Sequence, residues 1–228
     1  MSSTLTFYGH ASFGLQVGQH RLLFDPFFSG NPAASTTADK VDADYILVSH
    51  GHDDHLGDAL KIAKRCDATV ITVAEIAGWL QEHGVKTHAQ HLGGGFTYPF
   101  GYCKLTLALH GSDLPDGSYG GNPAGFLLTL PDEQKLYFAG DTGLFGDMRL
   151  IGDEGVALAL LPIGDNYTMG PADALRAVEF LRPRVVIPMH YNTFPLIQQD
   201  AAAWKRLVEE KTDSQVVILQ PGESYTLV

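Results

Sequence analysis

The chain has 228 residues and is 45% hydrophobic, enough for one large domain with a full core and short for two, so residues 1–228 read as a single domain. Its 15 Lys+Arg against 26 Asp+Glu give a formal net charge of -11, which excludes a basic footprint for nucleic acid, although bound divalent ions could still attract a small anion locally. Met1 to Gly9 lacks a basic segment followed by a long apolar one, and no later stretch reaches membrane-spanning length, so no membrane insertion and a cytoplasmic location are expected.

In chain order, Leu5 to Tyr8, Phe13 to Val17 and Arg21 to Phe24 read as short strands separated by turns that contain Gly9 and Gly18. After a Ser/Thr/Ala-rich loop from Ser29 to Lys40, the apolar run Tyr45 to Val48 predicts a buried strand, followed by a helix from Leu56 to Ala63. A second β-α pair follows: Thr69 to Val73, then Ala74 to His83, where Ile76, Ala77 and Leu80 repeat at helical spacing. Phe96 to Phe100, Lys104 to Leu109, Gly125 to Leu130 and Lys135 to Ala139 return to strands, with Gly93-Gly94-Gly95 as a hairpin turn. The last third alternates again. Val156 to Leu160, Val185 to Ile187 and Gln215 to Leu219 are strands, while Pro171 to Leu181, with Pro171 suited to the first helical position, and Ala201 to Glu210 are helices. Two β-rich blocks, each followed by helices, predict two sheets packed face to face with helices outside, a four-layer αββα sandwich.

Cys66 and Cys103 are far apart and outside any CxxC spacing, which leaves them as apolar cysteines rather than a disulfide or thiolate metal site. The chemistry lies elsewhere, in Ser49-His50-Gly51-His52-Asp53-Asp54-His55 at the end of a predicted strand. Imidazole and carboxylate groups ligate catalytic zinc and related ions, and residues two apart in extended backbone face the same side, so His50 and His52 can share one ion. Asp54 and His55, where the chain turns toward the helix, can face a second. Three distant strands end in the same kind of residue: Leu105 to Leu109 in His110, Leu136 to Gly140 in Asp141, and Val185 to Met189 in His190. Singly, each has an ordinary reading as a strand-terminal histidine or a turn cap. Jointly, they suit one crevice at the strand ends of an α/β sandwich.

The His-x-His-x-Asp-His segment with later His110, Asp141 and His190 resembles the metallo-β-lactamase superfamily. More narrowly, Gly9-His10-Ala11-Ser12, Leu23-Phe24-Asp25-Pro26, Ala139 to Met148, Thr168-Met169-Gly170-Pro171 and Ile187 to Tyr191 resemble a family of metal-dependent hydrolases close to ascorbate-phosphate lactonase and, more distantly, to an N-acylphosphatidylethanolamine phospholipase D. The resemblance implies the αββα fold, with His50, His52 and His110 on one metal, Asp54, His55 and His190 on the other, and Asp141 bridging both. It also sets His10 beside the site as a catalytic residue. Asp25 would orient a ligating imidazole, and Asp54 is a second catalytic candidate, as general acid, provided one of its oxygens stays free of metal. The Gly111-Ser112-Asp113 loop departs from the Ser-rich stretch expected of relatives, which leaves the substrate open.

The expected cofactors are two divalent metal ions, zinc first, with manganese and iron as alternatives for the same donors. Such a centre activates water, so the expected activity is hydrolysis of a small-molecule lactone, ester or related acyl substrate, with a phosphodiesterase or phospholipase-D-like hydrolase as the alternative. A non-hydrolytic metal-binding or di-iron redox protein is the contrasting class; the resemblance argues against it, because di-iron relatives carry Glu at the position of His52. A homo-oligomer is left open. Asp165, Asn166 and Tyr167 are pocket candidates outside the catalytic set, and His20, His83, His88 and His91 lack ligand-type neighbours.

Overall fold

The structure is a computed structural model that describes residues 3–227; the expectation for Met1 to Gly9 therefore begins outside the described residues. One seven-stranded sheet has the order β14-β1-β2-β3-β4-β5-β6, formed by Ser224–Leu227, Ser3–Gly9, Ser12–Val17, His20–Phe24, Tyr45–Leu47, Thr69–Val73 and Lys86–Gln90. The other runs β13-β12-β11-β10-β9-β8-β7, from Gln215–Val216, Val185–Met189, Leu158–Pro162, Lys135–Phe138, Ala124–Thr129, Gly101–Leu107 and Gly95–Tyr98. In β1, Leu5 and Phe7 turn inward while Thr4, Thr6 and Tyr8 stay half-exposed, the alternation of a strand with one buried face. Strands β11 and β12 are buried on both faces, which explains their continuous apolar runs.

The sheets meet through aromatic side chains: Phe24 lies with its ring centroid 5.0 Å from that of Phe138 and 6.3 Å from that of Phe126. Helices α2 (Ala59–Cys66) and α3 (Ala74–Glu82) cover the first sheet, and α4 (Met148–Asp153), α5 (Pro171–Leu181) and α6 (Ala201–Lys211) lie on the side of the second. This is the four-layer αββα sandwich. Among the described residues, no helix is long and apolar enough to cross a membrane.

Some elements depart from expectation. The helix expected from Leu56 to Ala63 is split into a single turn, α1 (Asp53–Leu56), and α2. Gly57 between them has φ 42°, and a Cβ there would stand 2.6 Å from the Pro26 carbonyl oxygen. Gly93-Gly94-Gly95 is not a hairpin, because it carries the chain from β6 in one sheet to β7 in the other. Strands β6 and β14 were not anticipated: both are sheet edges, Lys86 to Gln90 being mostly polar and the alternation of Ser224 to Leu227 spanning only four residues. Cys103 is buried as expected, whereas Cys66 is only half-buried, and both are free thiols.

Strands β1, β3 and β4 run in one direction in the first sheet, and β8, β10, β11 and β12 share one direction in the second. His10, Asp25 and His190 directly follow the carboxyl ends of strands in these sets, and His50, His110 and Asp141 come three residues after such ends.

Candidate metal centre

The chain leaves β4 through Val48 and Ser49, and the next residues bring His50 and His52 together, with His50 Nε2 3.0 Å from His52 Nδ1. Neither nitrogen needs the other as a partner if both face one cation. The ring of His110, delivered from the end of β8, lies 4.9 Å from that of His50 and 5.1 Å from that of His52. These side chains form one group whose ligand atoms all lie within 4.8 Å of one another. The tight turn of α1 then places Asp54 and His55 in a second such group, with His190 from the end of β12 and His10 from the end of β1.

Asp141 lies between the groups. Its Oδ2 is 3.3 Å from His55 Nε2, 3.0 Å from His190 Nε2 and 3.6 Å from His110 Nε2. Yet His55 Nε2, Asp141 Oδ1 and both ring nitrogens of His190 are buried without an aligned hydrogen-bond partner among the described residues. Buried polar atoms are normally satisfied, and the orphaned Nε2 atoms of His55 and His190 gathered at Asp141 fit a cation-binding cavity. The nitrogen and carboxylate donors have the chemistry to hold divalent metal ions.

Around this space, hydrogen bonds settle which nitrogen of His55 and of His50 faces inward. The buried carboxylate of Asp25 accepts from His55 Nδ1 at 2.7 Å, from Ser49 Oγ at 2.6 Å and from the Ser49 backbone N–H at 2.8 Å. Ser49 Oγ in turn lies 2.9 Å from His50 Nδ1 and accepts its proton, so one carboxylate orients two imidazoles. Ser49 was not among the residues expected from sequence; a hydroxyl directly before His50 was its only signal. The loop after His110 is also tied in, because Ser112 Oγ accepts from the Gly51 N–H at 3.1 Å. His10, Asp25 and His190 all have positive φ, at 61°, 38° and 55°, a backbone region that non-glycine residues enter at a cost and mostly where surrounding structure imposes it.

Electrostatics follow from this packing. Burial alone would raise the Asp141 carboxyl, but His190 and His55 outweigh it and hold the group well below the usual carboxylate range. Burial would likewise lower His55, yet Asp141 and Asp25 drive it well above the ordinary imidazole value. His50, with burial and neighbouring imidazoles against it, is pushed well below that value. Burial also lowers His10 to about 4 against the pull of Asp54, so it is neutral at physiological pH.

His10 has no exposed side-chain surface; its Nε2 contacts Asp54 Oδ2 at 3.1 Å and its Nδ1 contacts Thr193 Oγ1 at 2.9 Å. Asp54 is part-exposed and held below the usual carboxylate range: burial opposes its ionisation, while His10 and His55 favour it. Thr193 carried no sequence signal. Asp165, Asn166 and Tyr167 are exposed in a loop whose Met169 N–H donates to the Thr142 carbonyl, beside Asp141. The remaining histidines lie outside both groups: His20 meets Tyr45 edge-on, His83 bonds the Trp79 carbonyl, His88 packs on Phe96 and Tyr98, and His91 is exposed.

Residues 20–191 match the sequence profile of the beta-lactamase superfamily domain. Over 98% of its length the chain is 53% identical to a UPF0173 metal-dependent hydrolase of Heliobacterium modesticaldum, covering 97% of that protein. It is 54% identical to one from Desulforamulus reducens, over 96% of this chain and 97% of the other. Among solved structures, a metallo hydrolase from the hyperthermophilic archaeon Ignicoccus hospitalis superposes with a TM-score of 0.92 at 36% identity, covering 100% of this chain and 99% of that one.

Proposed function

This chain belongs to the metallo-β-lactamase superfamily and is a metal-dependent hydrolase, and from that premise we propose that it holds two divalent ions and hydrolyses a small-molecule lactone, ester or related acyl compound. His50, His52 and His110 would hold one ion, Asp54, His55 and His190 the other, with Asp141 shared. The observation that carries this reading is the pair of ligand groups on either side of Asp141, with orphaned nitrogen and oxygen atoms facing the space between. Zinc suits these donors, and manganese or iron would be accepted by the same set.

Bound there, such ions would bring the pKa of a water toward neutrality and polarise the attacked carbonyl. The chain's own contribution is orientation and charge. Asp25 and Ser49 fix His55 and His50 with Nδ1 as donor and Nε2 inward. Asp141 supplies a buried negative charge between the groups, and the part-exposed Asp54 lies at the open side. Exposed Leu109, Tyr167 and Phe194, each from a loop that follows a strand of the second sheet, offer apolar surface for an uncharged acyl group. The net charge of -11 also disfavours a polyanion at long range.

Elemental analysis of desalted protein, coupled to a hydrolysis screen of metal-loaded enzyme against lactones, esters and phosphodiesters, tests the proposal. About two ions per chain and a preference for acyl substrates are expected. A preference for phosphodiesters would overturn the substrate class, and zero ions after reconstitution would overturn the centre itself.

A further inference from the structure

We propose that Thr193, His10 and Asp54 form a positioning relay, in which the Thr193 hydroxyl fixes the tautomer of His10 and His10 in turn holds one oxygen of Asp54, leaving the other for the ion. The proposal rests on the reading that a divalent ion binds beside Asp54.

For a neutral His10 ring the donors and acceptors admit one assignment. Asp54 Oδ2, 3.1 Å from His10 Nε2, can only accept, so Nε2 carries the proton. In a neutral imidazole Nδ1 is then an acceptor, and Thr193 Oγ1 at 2.9 Å must donate to it. The reverse tautomer would set a nitrogen lone pair against a carboxylate lone pair. Packing locks the ring: Phe27 and Phe194 meet it edge-on, with centroids 5.7 and 5.6 Å away, and the His190 ring lies 4.0 Å away. The His10 carbonyl also accepts the His190 N–H at 2.8 Å, which joins the end of β1 to the end of β12.

Asp54 Oδ2, bonded to His10, lies 3.9 Å from the orphaned His190 Nε2, while Oδ1, which His10 leaves free, lies 4.0 Å from the orphaned His55 Nε2. Both ring nitrogens of His10 are thereby used, which separates it from His55 and His190, whose Nε2 atoms have no aligned partner among the described residues. Its burial likewise removes it from direct contact with substrate. His10 and Thr193 are positioning residues, acting through Asp54.

The test is nitrogen-15 NMR of the imidazoles together with zinc titration against a competing chelator. Wild-type His10 should show the Nε2–H tautomer with and without zinc. Thr193→Val removes the donor at nearly constant volume and should disturb that signature and weaken one of two zinc sites roughly 10–100-fold, as loss of an outer-shell partner does. Thr193→Ser should restore both. A wild-type Nδ1–H tautomer overturns the relay without need of any variant. So does a folded Thr193→Val protein that binds both ions as wild type does. Wild-type protein that takes up no zinc overturns the two-ion reading and the relay with it, whereas normal zinc uptake with an unaffected valine variant overturns the relay alone.

Discussion

Asp25 Oδ2 accepts the Nδ1–H of His55 at 2.7 Å, with both side chains fully buried. The same oxygen accepts from Ser49 Oγ, which passes the constraint on to His50. Ser49→Ala should therefore leave the His50 Nδ1–H without its acceptor, at a cost of about 1–3 kcal/mol. Urea denaturation of metal-free protein measures that loss, and chelator competition should show zinc binding weakened roughly 10–100-fold. An unchanged midpoint and affinity would mean that His50 is oriented without Ser49.

Asp141→Asn preserves size but removes the negative charge from between the two ligand groups. Loss of at least one ion is expected, with a rate decrease of roughly a hundredfold or more, by analogy with removal of a transition-state electrostatic contact. Elemental analysis and steady-state kinetics check both. A soluble variant with two ions and undiminished turnover would return Asp141 to the role of a turn cap.

Metal uptake should release protons and strengthen with pH. Asp141 and Asp25 keep His55 protonated at neutral pH in the metal-free chain, against the effect of burial, so an ion reaching Nε2 must displace a proton. His50, whose burial depresses it, is already neutral and releases none. The sign follows: below the raised His55 value, affinity at that site should rise about tenfold per pH unit. Calorimetry in buffers of differing ionisation enthalpy counts the protons, and a count near zero at pH 7 would contradict the protonated state.

Gly51→Ala should weaken the site built on His50, His52 and His110. A Cβ at residue 51 would stand 2.6 Å from the Asp113 carbonyl oxygen, so the loop that follows His110 must shift. Overpacking of this kind typically costs about 1–3 kcal/mol. A lowered Tm together with reduced zinc stoichiometry is expected, and wild-type values for both would show that the loop yields freely.

Local chemistry made much of this protein legible in its sequence. The repeated occurrence of an apolar strand ending in histidine or aspartate at His50, His110, Asp141 and His190 is a short-range pattern, and strand direction alone brings such residues to one end of a sandwich. Pro171 opens α5 because its fixed φ and missing N–H suit the first helical turn. What only the tertiary structure decided depends on which distant segments meet. Strand β6 is an edge of mostly polar residues and β14 an edge of only four, and it is their neighbours β5 and β1 that supply the partners that make them strands. Thr193 and His10 are 183 positions apart, and Ser112 reaches Gly51 across 61. A hydrogen bond between such residues follows from sheet order and loop packing, because its 3 Å geometry is set by long-range burial rather than by any neighbour in the chain.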